Sequence, residues 1–174
     1  MELLEVIRTR RSIRKYEDRP VSDELVTAVL EAAMYAPSAG NQQPWHFVVI
    51  RDRLKLDRIP SFHPYSNMIL QAKVAILVCG DPAGGKWPAY WVQDCSAATQ
   101  NILLAARDLG LGSVWAGVYP DEGRMAGFRE LLAIPQNVFP FALIPLGWPL
   151  GEFARVQRFR SERIHQETWC GDTA

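Results

Sequence analysis

Six consecutive apolar residues, Val-Ala-Ile-Leu-Val-Cys at positions 74–79, constrain the fold of this chain most strongly. The turn-forming sequence Gly-Asp-Pro closes the run, which is typical of a β-strand. Residues 90–109 form the longest helix candidate, since four alanines raise its helix propensity and allow close packing. Ile102, Leu103 and Leu104 make this helix apolar around much of its circumference. We therefore expect a central helix rather than a surface one.

The remaining segments alternate between helical and strand patterns. Strands are predicted at Trp45–Ile50, 113–119 and 139–146, and helices at residues 2–8, 22–35, 67–72 and 121–132. Residues 51–66 are polar, contain two prolines and are interpreted as an irregular connection. Because Trp45–Ile50 is mostly apolar, we expect it to be buried on both faces. This alternation indicates one layered α+β or α/β structure.

Length and charge exclude several classes of protein. A chain of 174 residues suggests a single domain, residues 1–174. Nineteen basic residues balance nineteen acidic ones, which argues against a nucleic-acid binder. We find no apolar run of membrane-spanning length and no signal-peptide core, so neither a membrane partner nor secretion is expected. The three scattered cysteines fit reduced thiols in the cytoplasm, and no Cys/His spacing resembles a metal site.

The densest group of charges is Arg10-Arg11-Ser12-Ile13-Arg14. Guanidinium groups offer planar forks of donors that match phosphate or carboxylate, so the cluster could hold an anion. A solvated basic turn is the alternative, and this stretch alone favours neither interpretation.

Sequence motifs for protein-based catalysis are missing. The three histidines lie far apart, and we find no G-x-S-x-G motif, P-loop or clean G-x-G-x-x-G motif. The sequence Gly-Leu-Gly-Ser at 110–113 is interpreted first as a helix C-cap that leads into a strand. Without a nucleophile or metal site, no catalytic side chain is predicted, and the pattern favours a cofactor that carries the chemistry.

Several motifs follow one another along the chain. They are Arg-Arg-Ser-Ile-Arg-Lys-Tyr at 10–16, Ala-Pro-Ser-Ala-Gly-Asn-Gln-Gln-Pro-Trp-His-Phe at 36–47, residues 92–98, 110–118 and 144–149, and the tail at 158–165. Together they resemble the nitroreductase family of FMN-dependent oxidoreductases. The resemblance covers nearly the whole chain, and its two N-terminal motifs are the most specific.

The resemblance implies an α+β fold of three layers, α/β/α, with a central, mainly antiparallel sheet. It also implies an intertwined homodimer with FMN at the dimer interface. The C-terminal tail, about residues 151–174, would wrap around the partner subunit, which would explain why it shows so little core pattern of its own.

The resemblance also implies roles for individual residues. Arg10 and Ser12, with Arg11 as a weaker member, would bind the FMN phosphate or ribityl chain, and Arg14 would lie near the redox end of the flavin. The cofactor-binding residues from the partner's loop would be Pro37, Ser38, Ala39 and Asn41. The backbone of Ala116 and Gly117 would lie against flavin N5, and Arg158 and Arg160 would close on the phosphate.

The implied function is an FMN-dependent NAD(P)H oxidoreductase with ping-pong kinetics. NADH or NADPH would supply hydride, and an electron-poor small molecule such as a nitroaromatic or quinone would accept it. Residues 63–65 and 83–91 are expected to wall the substrate site, and Asn67 is a candidate for a further flavin contact. A non-catalytic FMN-binding sensor or store, or a flavin reductase or dehalogenase branch, remains an alternative.

Overall fold

A five-stranded antiparallel sheet forms the centre of the computed structural model, which describes residues 2–169. The strand order is β1-β2-β5-β3, and β4 also pairs with β5. The strands are β1 Trp45–Ile50, β2 Val74–Gly80, β3 Gly112–Ser113, β4 Ala116–Gly117 and β5 Phe139–Gly147. The helices are α1 Leu3–Thr9, α2 Asp23–Met34, α3 Arg53–Arg58, α4 Trp91–Asp108 and α5 Glu122–Leu132. The predicted α+β class with a mainly antiparallel sheet is confirmed.

The two faces of β2 belong to two separate apolar cores. Val74, Ile76 and Val78 pack with residues of α2 and α4. The alternate residues Ala75, Leu77 and Cys79 pack with residues of α3 and α5. Because successive side chains of a strand point to opposite faces, one apolar run serves both layers of helices.

Local sequence signals set the ends of the helices. The hydroxyl of Ser22 accepts a hydrogen bond from the Leu25 amide at the start of α2. Gly110 ends α4 with a positive φ of 80°, a conformation that favours glycine. The Leu111 amide then donates to the Ala106 carbonyl at 2.7 Å, which completes the helix terminus.

Three sequence predictions were wrong in detail. Residues 51–66 contain helix α3, which Asp52 caps with its carboxylate at the Leu54 amide. β1 is not buried on both faces: His46 is exposed and Val49 is 39% exposed, because β1 lies at the edge of the sheet. The predicted strand 113–119 is split into β3 and β4. The interruption faces Pro145 of β5, which has no N–H to donate to the ladder.

The arginine-rich segment joins the sheet beyond β3. The Ile13 amide donates to the Ser113 carbonyl at 2.9 Å, and Ser12 forms a parallel bridge with Ser113. A side chain on Gly112 would place its Cβ 2.6 Å from Cγ2 of Ile13, so only glycine fits this approach. The segment is therefore fixed against the sheet.

The C-terminal segment adds almost nothing to either core. Residues 151–169 contain no buried position, and Phe159 and Trp169 are 76% and 84% exposed. The predicted lack of core in the tail is confirmed for these residues, and positions 170–174 lie outside the described residues.

Candidate functional site

A cavity of about 610 Å³ opens beside the end of β4, and we call it the Gly117 cavity. Arg14, Ala116 and Gly117, which the sequence predicted as site residues, all line it. Residues 63–65 and Asn67 also line it, as expected, whereas residues 83–91 do not. Gly117 leaves open space where a Cβ would stand, so its backbone is accessible to a ligand.

The Gly117 carbonyl accepts two hydrogen bonds from the cavity wall. Nε2 of His63 and Nη1 of Arg124 each lie 2.9 Å from its oxygen. Burial, followed by the nearby charge of Arg124, lowers the pKa of His63, which favours a neutral ring. Since a carbonyl can only accept, we assign the proton of this neutral ring to Nε2.

The Gly117 cavity is electropositive. Arg14, Lys15 and Arg124 line it, and its lining includes no aspartate or glutamate among the described residues. Arg124 is partly compensated by Asp121, whose carboxylate lies 3.4 Å from Nε. Within residues 2–169, the guanidinium of Arg14 makes only a long hydrogen bond of 3.4 Å, to the Ser12 carbonyl. The cavity therefore favours a ligand on which negative charge is present or develops.

A second cavity, of about 770 Å³, lies at the other end of the arginine segment, and we call it the Arg10 cavity. Arg10, Arg11 and Arg158 line it together. Burial and the positive charges of Arg158 and Arg11 lower the pKa of Arg10. Within residues 2–169, neither Arg10 nor Arg158 has a carboxylate partner. Like charges held together in this way are stabilised by a bound anion.

Arg11 differs from its neighbours in the cluster. Its guanidinium folds back onto α1, where Nη2 donates to the Arg8 carbonyl at 2.9 Å and Nη1 donates to the Arg10 carbonyl. These are carbonyls at the helix C-terminus, which a cation satisfies well. Much of the hydrogen-bonding capacity of Arg11 is therefore used within its own chain.

The other predicted site residues line neither cavity. Ser12 is exposed and joins the two cavities along the sheet edge, and Arg160 is exposed in the tail. Within one chain the loop at 37–41 is separate from both cavities; its predicted members are Pro37, Ser38, Ala39 and Asn41. Asn41 has a positive φ of 55°, and its side-chain oxygen accepts a hydrogen bond from Gln43.

The carboxylate of Asp94 anchors this loop to α4. Asp94 is 4% exposed, and it accepts hydrogen bonds from the Ala39 amide at 2.9 Å and from Nε2 of Gln42 at 2.7 Å. The Gln42 side chain also bonds both backbone groups of Trp87, at 3.0 Å each. Two surface loops are thus joined through one buried acid.

The sequence predictions missed Arg124, Lys15 and Asp94. Arg124 does carry a signal, because it occupies the third position of α5, where a capping box places Glu or Gln. A cation there also opposes the helix dipole, which suggests that another interaction holds it. Lys15 and Asp94 lie within the matching stretches at 10–16 and 92–98, but nothing in those stretches indicates their contacts, since their neighbours come from distant parts of the chain.

The described residues contain no helix that is long and apolar enough to span a bilayer, and no group of side chains suited to a metal ion. Together, fold and site define a small α+β protein with two cationic cavities at the two ends of the arginine segment. The profile of the Nitroreductase family matches residues 7–63 and 60–148. The chain therefore belongs to the nitroreductase family.

Similar proteins match over nearly the whole chain. An Archaeoglobus fulgidus protein, provisionally named NADH dehydrogenase/NAD(P)H nitroreductase, is 54% identical over 97% of this chain and 99% of its own length. A Bacteroides thetaiotaomicron structure with the same provisional name is 41% identical, with a TM-score of 0.92 over 97% of this chain and 99% of its own. A structure from Desulfovibrio desulfuricans, provisionally named nitroreductase and in complex with FMN, is 36% identical with a TM-score of 0.83, over 98% of this chain and 99% of its own.

Proposed function

We propose that the protein is an FMN-dependent NAD(P)H oxidoreductase that reduces an electron-poor small molecule, such as a nitroaromatic or a quinone. One observation carries the proposal. The unpaired cations of the Arg10 cavity connect, through a segment fixed to the sheet edge, with the exposed backbone of the Gly117 cavity. Arg14 lies four positions after Arg10, a span of at most about 14 Å. FMN likewise has an anionic end and a flat redox-active end, separated by a flexible chain.

The residues present fit this cofactor. Arg10 and Arg158, assisted by Ser12, Arg11 and Arg160, would hold the phosphate and the ribityl chain. Arg10 and Arg158 have no carboxylate partner within residues 2–169, so their positive charges would be balanced by an anionic group such as this phosphate. Arg14 would lie at the pyrimidine side of the ring, and the exposed backbone of Gly117, with Ala116 beside it, at its reacting side.

When bound, FMN would supply the means of hydride transfer from a nicotinamide to the acceptor. Arg14 fixes a positive charge where negative charge develops during that transfer, which lowers the barrier. The one cavity beside Gly117 would receive the nicotinamide and the acceptor in turn, which supports ping-pong kinetics. No side chain is needed as a nucleophile, and water supplies protons.

A homodimer would complete each site. The loop residues Pro37, Ser38, Ala39 and Asn41 would approach the partner's flavin, and the described part of the tail, residues 151–169, would wrap around the partner. Large exposed apolar side chains support this arrangement: Leu3, Leu4, Met34, Tyr35 and Phe159 are 54–79% exposed. We also propose a cytoplasmic location, for which the free, buried thiols of Cys79 and Cys95 are suitable.

Spectroscopy of the purified protein tests the proposal directly. Added FMN should bind with a changed visible spectrum, and NADH or NADPH should bleach that spectrum under anaerobic conditions. Failure to take up FMN would refute the assignment. A flavin that binds but is never reduced would instead indicate a sensor or store.

Substitution of Arg14 tests its role more sharply. We expect Arg14→Ala to slow reduction by NAD(P)H more than it weakens FMN binding, because its charge acts mainly as hydride arrives. Lys15→Ala removes the neighbouring cation of the same cavity and serves as the comparison. Equal effects of the two substitutions would show that general positive potential matters, rather than the position of Arg14.

A further inference from the structure

The carbonyl oxygen of Gly117 has both of its lone pairs engaged by side chains. His63 Nε2 and Arg124 Nη1 approach it at the same distance, 2.9 Å. A carbonyl has two acceptor sites, so these two donors saturate it. Neither residue was needed to assign the cofactor, and both line the cavity beside the exposed Gly117 backbone.

The buried position of His63 costs folding free energy, and packing of the fold alone does not explain why this residue lies there. Its side chain is fully buried, and its Nδ1 has no hydrogen-bond partner within residues 2–169. A buried ring with one unsatisfied nitrogen costs free energy. Its backbone is fixed on both sides, because its amide donates to Ile59 at 3.0 Å and its carbonyl accepts from Ser66 at 2.6 Å. The ring is therefore positioned for its bond to Gly117.

Arg124 extends from α5 over the same cavity. It extends from the first turn of α5, where its charge opposes the helix dipole. Its guanidinium lies 5.2 Å from the centre of the Tyr65 ring, and its Nε is 3.4 Å from Asp121. These contacts restrict the side chain to the region of the Gly117 carbonyl.

We propose that His63 and Arg124 are positioning residues that keep the Gly117 carbonyl from hydrogen-bonding to the flavin, so that the cofactor exchanges electrons in pairs. This inference rests on the proposed function, which puts the reacting side of the flavin at Gly117. A free carbonyl there would accept a hydrogen bond from a newly protonated ring nitrogen. It would thereby favour uptake of one electron and one proton at a time. A carbonyl saturated by two other donors offers no such bond, and hydride transfer moves both electrons together.

An anaerobic titration of the FMN-loaded protein with dithionite, followed by visible absorbance, tests the inference. We expect the native protein to be reduced in a single two-electron step. His63→Leu and Arg124→Met each remove one donor, and the double variant removes both. The double variant should be reduced in two resolved one-electron steps. Both side chains line the Gly117 cavity, so the FMN loading of each variant is measured before the titration.

Two further variants separate positioning from a merely structural role. His63→Gln keeps an N–H donor and should restore the single step to a protein that retains Arg124. Arg129→Met is the matched control, because Arg129 lies on the same helix and donates to the Val138 carbonyl at 3.1 Å, away from the cavity. It should lower the melting temperature of the flavin-free protein without changing the number of reduction steps.

The outcomes are distinct. A double variant that binds FMN and is still reduced in one step would overturn the positioning role. If the double variant does not fold, the two single variants decide. If the dithionite titrations of the single variants show two partly resolved one-electron steps, the inference is supported. If these titrations are identical to that of the native protein, the inference is overturned. Failure of the native protein to bind FMN would instead refute the proposed function.

Discussion

Replacing Arg10 by methionine should weaken cofactor binding while leaving the flavin-free fold intact. Burial and the charges of Arg158 and Arg11 lower the pKa of Arg10, so the empty protein holds this cation at a cost. Removing the charge should therefore leave the melting temperature of the flavin-free protein unchanged or raise it. With FMN, the variant loses a charge-assisted hydrogen bond worth about 1.5–3 kcal/mol. The Kd for FMN should rise roughly 10- to 150-fold.

Comparison of FMN with riboflavin isolates the phosphate in this prediction. Flavin fluorescence titrations would give both dissociation constants, and scanning fluorimetry would give the melting temperatures. For the native protein, FMN should bind much more tightly than riboflavin, whereas Arg10→Met should remove most of that preference. Raising the salt concentration should weaken FMN binding to the native protein more than to the variant.

Arg11→Met provides the matched control for Arg10→Met. Because Arg11 donates to the Arg8 and Arg10 carbonyls, its loss should lower stability more than affinity. The reasoning fails if Arg10→Met weakens FMN and riboflavin equally. It also fails if the flavin-free Arg10→Met protein is destabilised as much as the Arg11→Met protein.

Three further predictions concern groups outside the Arg10 cavity. Asp94→Asn replaces one of the two carboxylate oxygens that accept hydrogen bonds from Ala39 and Gln42. It should lower the free energy of unfolding by roughly 2 kcal/mol, which is about 4–8 °C in melting temperature. An unchanged melting temperature would show that these bonds do not stabilise the fold. Burial lowers the pKa of His63, so below pH 6.5 the unfolded chain binds a proton at this residue that the folded chain does not bind. The free energy of unfolding should therefore fall by at most about 1.4 kcal/mol per pH unit below pH 6.5. In denaturant melts across that range, His63→Gln should lack this pH-dependent loss. Burial raises the pKa of Cys79 and of Cys95 to about 12, so in a Cys170→Ser background iodoacetamide at pH 8 should modify neither thiol until denaturant is added, and rapid modification of the native protein would contradict this burial.

Most of the fold could be predicted because its elements carry local signals. The apolar run of β2, the capping hydroxyl of Ser22 and Gly110 after α4 mark their elements by residues next to one another in sequence. The split between β3 and β4 could not be predicted in this way. It depends on Pro145 in a strand about thirty residues further along the chain, and nothing within 113–119 reports which residue it will face.

In the candidate site, too, the residues within dense motifs could be predicted, whereas contacts between distant segments could not. The resemblance supplied Arg10, Arg14 and Gly117, because these positions belong to dense motifs. His63 was expected only as a wall of the site, and its bond to the Gly117 carbonyl spans 54 positions. Its partnership with Arg124 follows from the fold and has no counterpart in residue spacing. Cooperation between side chains from distant segments is thus visible only once those segments are packed together.

Because the arginine segment is attached to the sheet, cofactor binding should require that the whole fold is formed. This segment is near the start of the chain, yet it is held by residues synthesised much later. The Thr9 hydroxyl accepts a hydrogen bond from Arg107, 98 positions away, and the Tyr16 hydroxyl contacts the Pro145 carbonyl, 129 positions away. Closing such long loops comes late in folding, so a nascent or truncated chain that ends before β5 would display its arginines without a framework. Flavin would then bind the finished protein alone, and bound FMN would stabilise that native form over the unfolded chain.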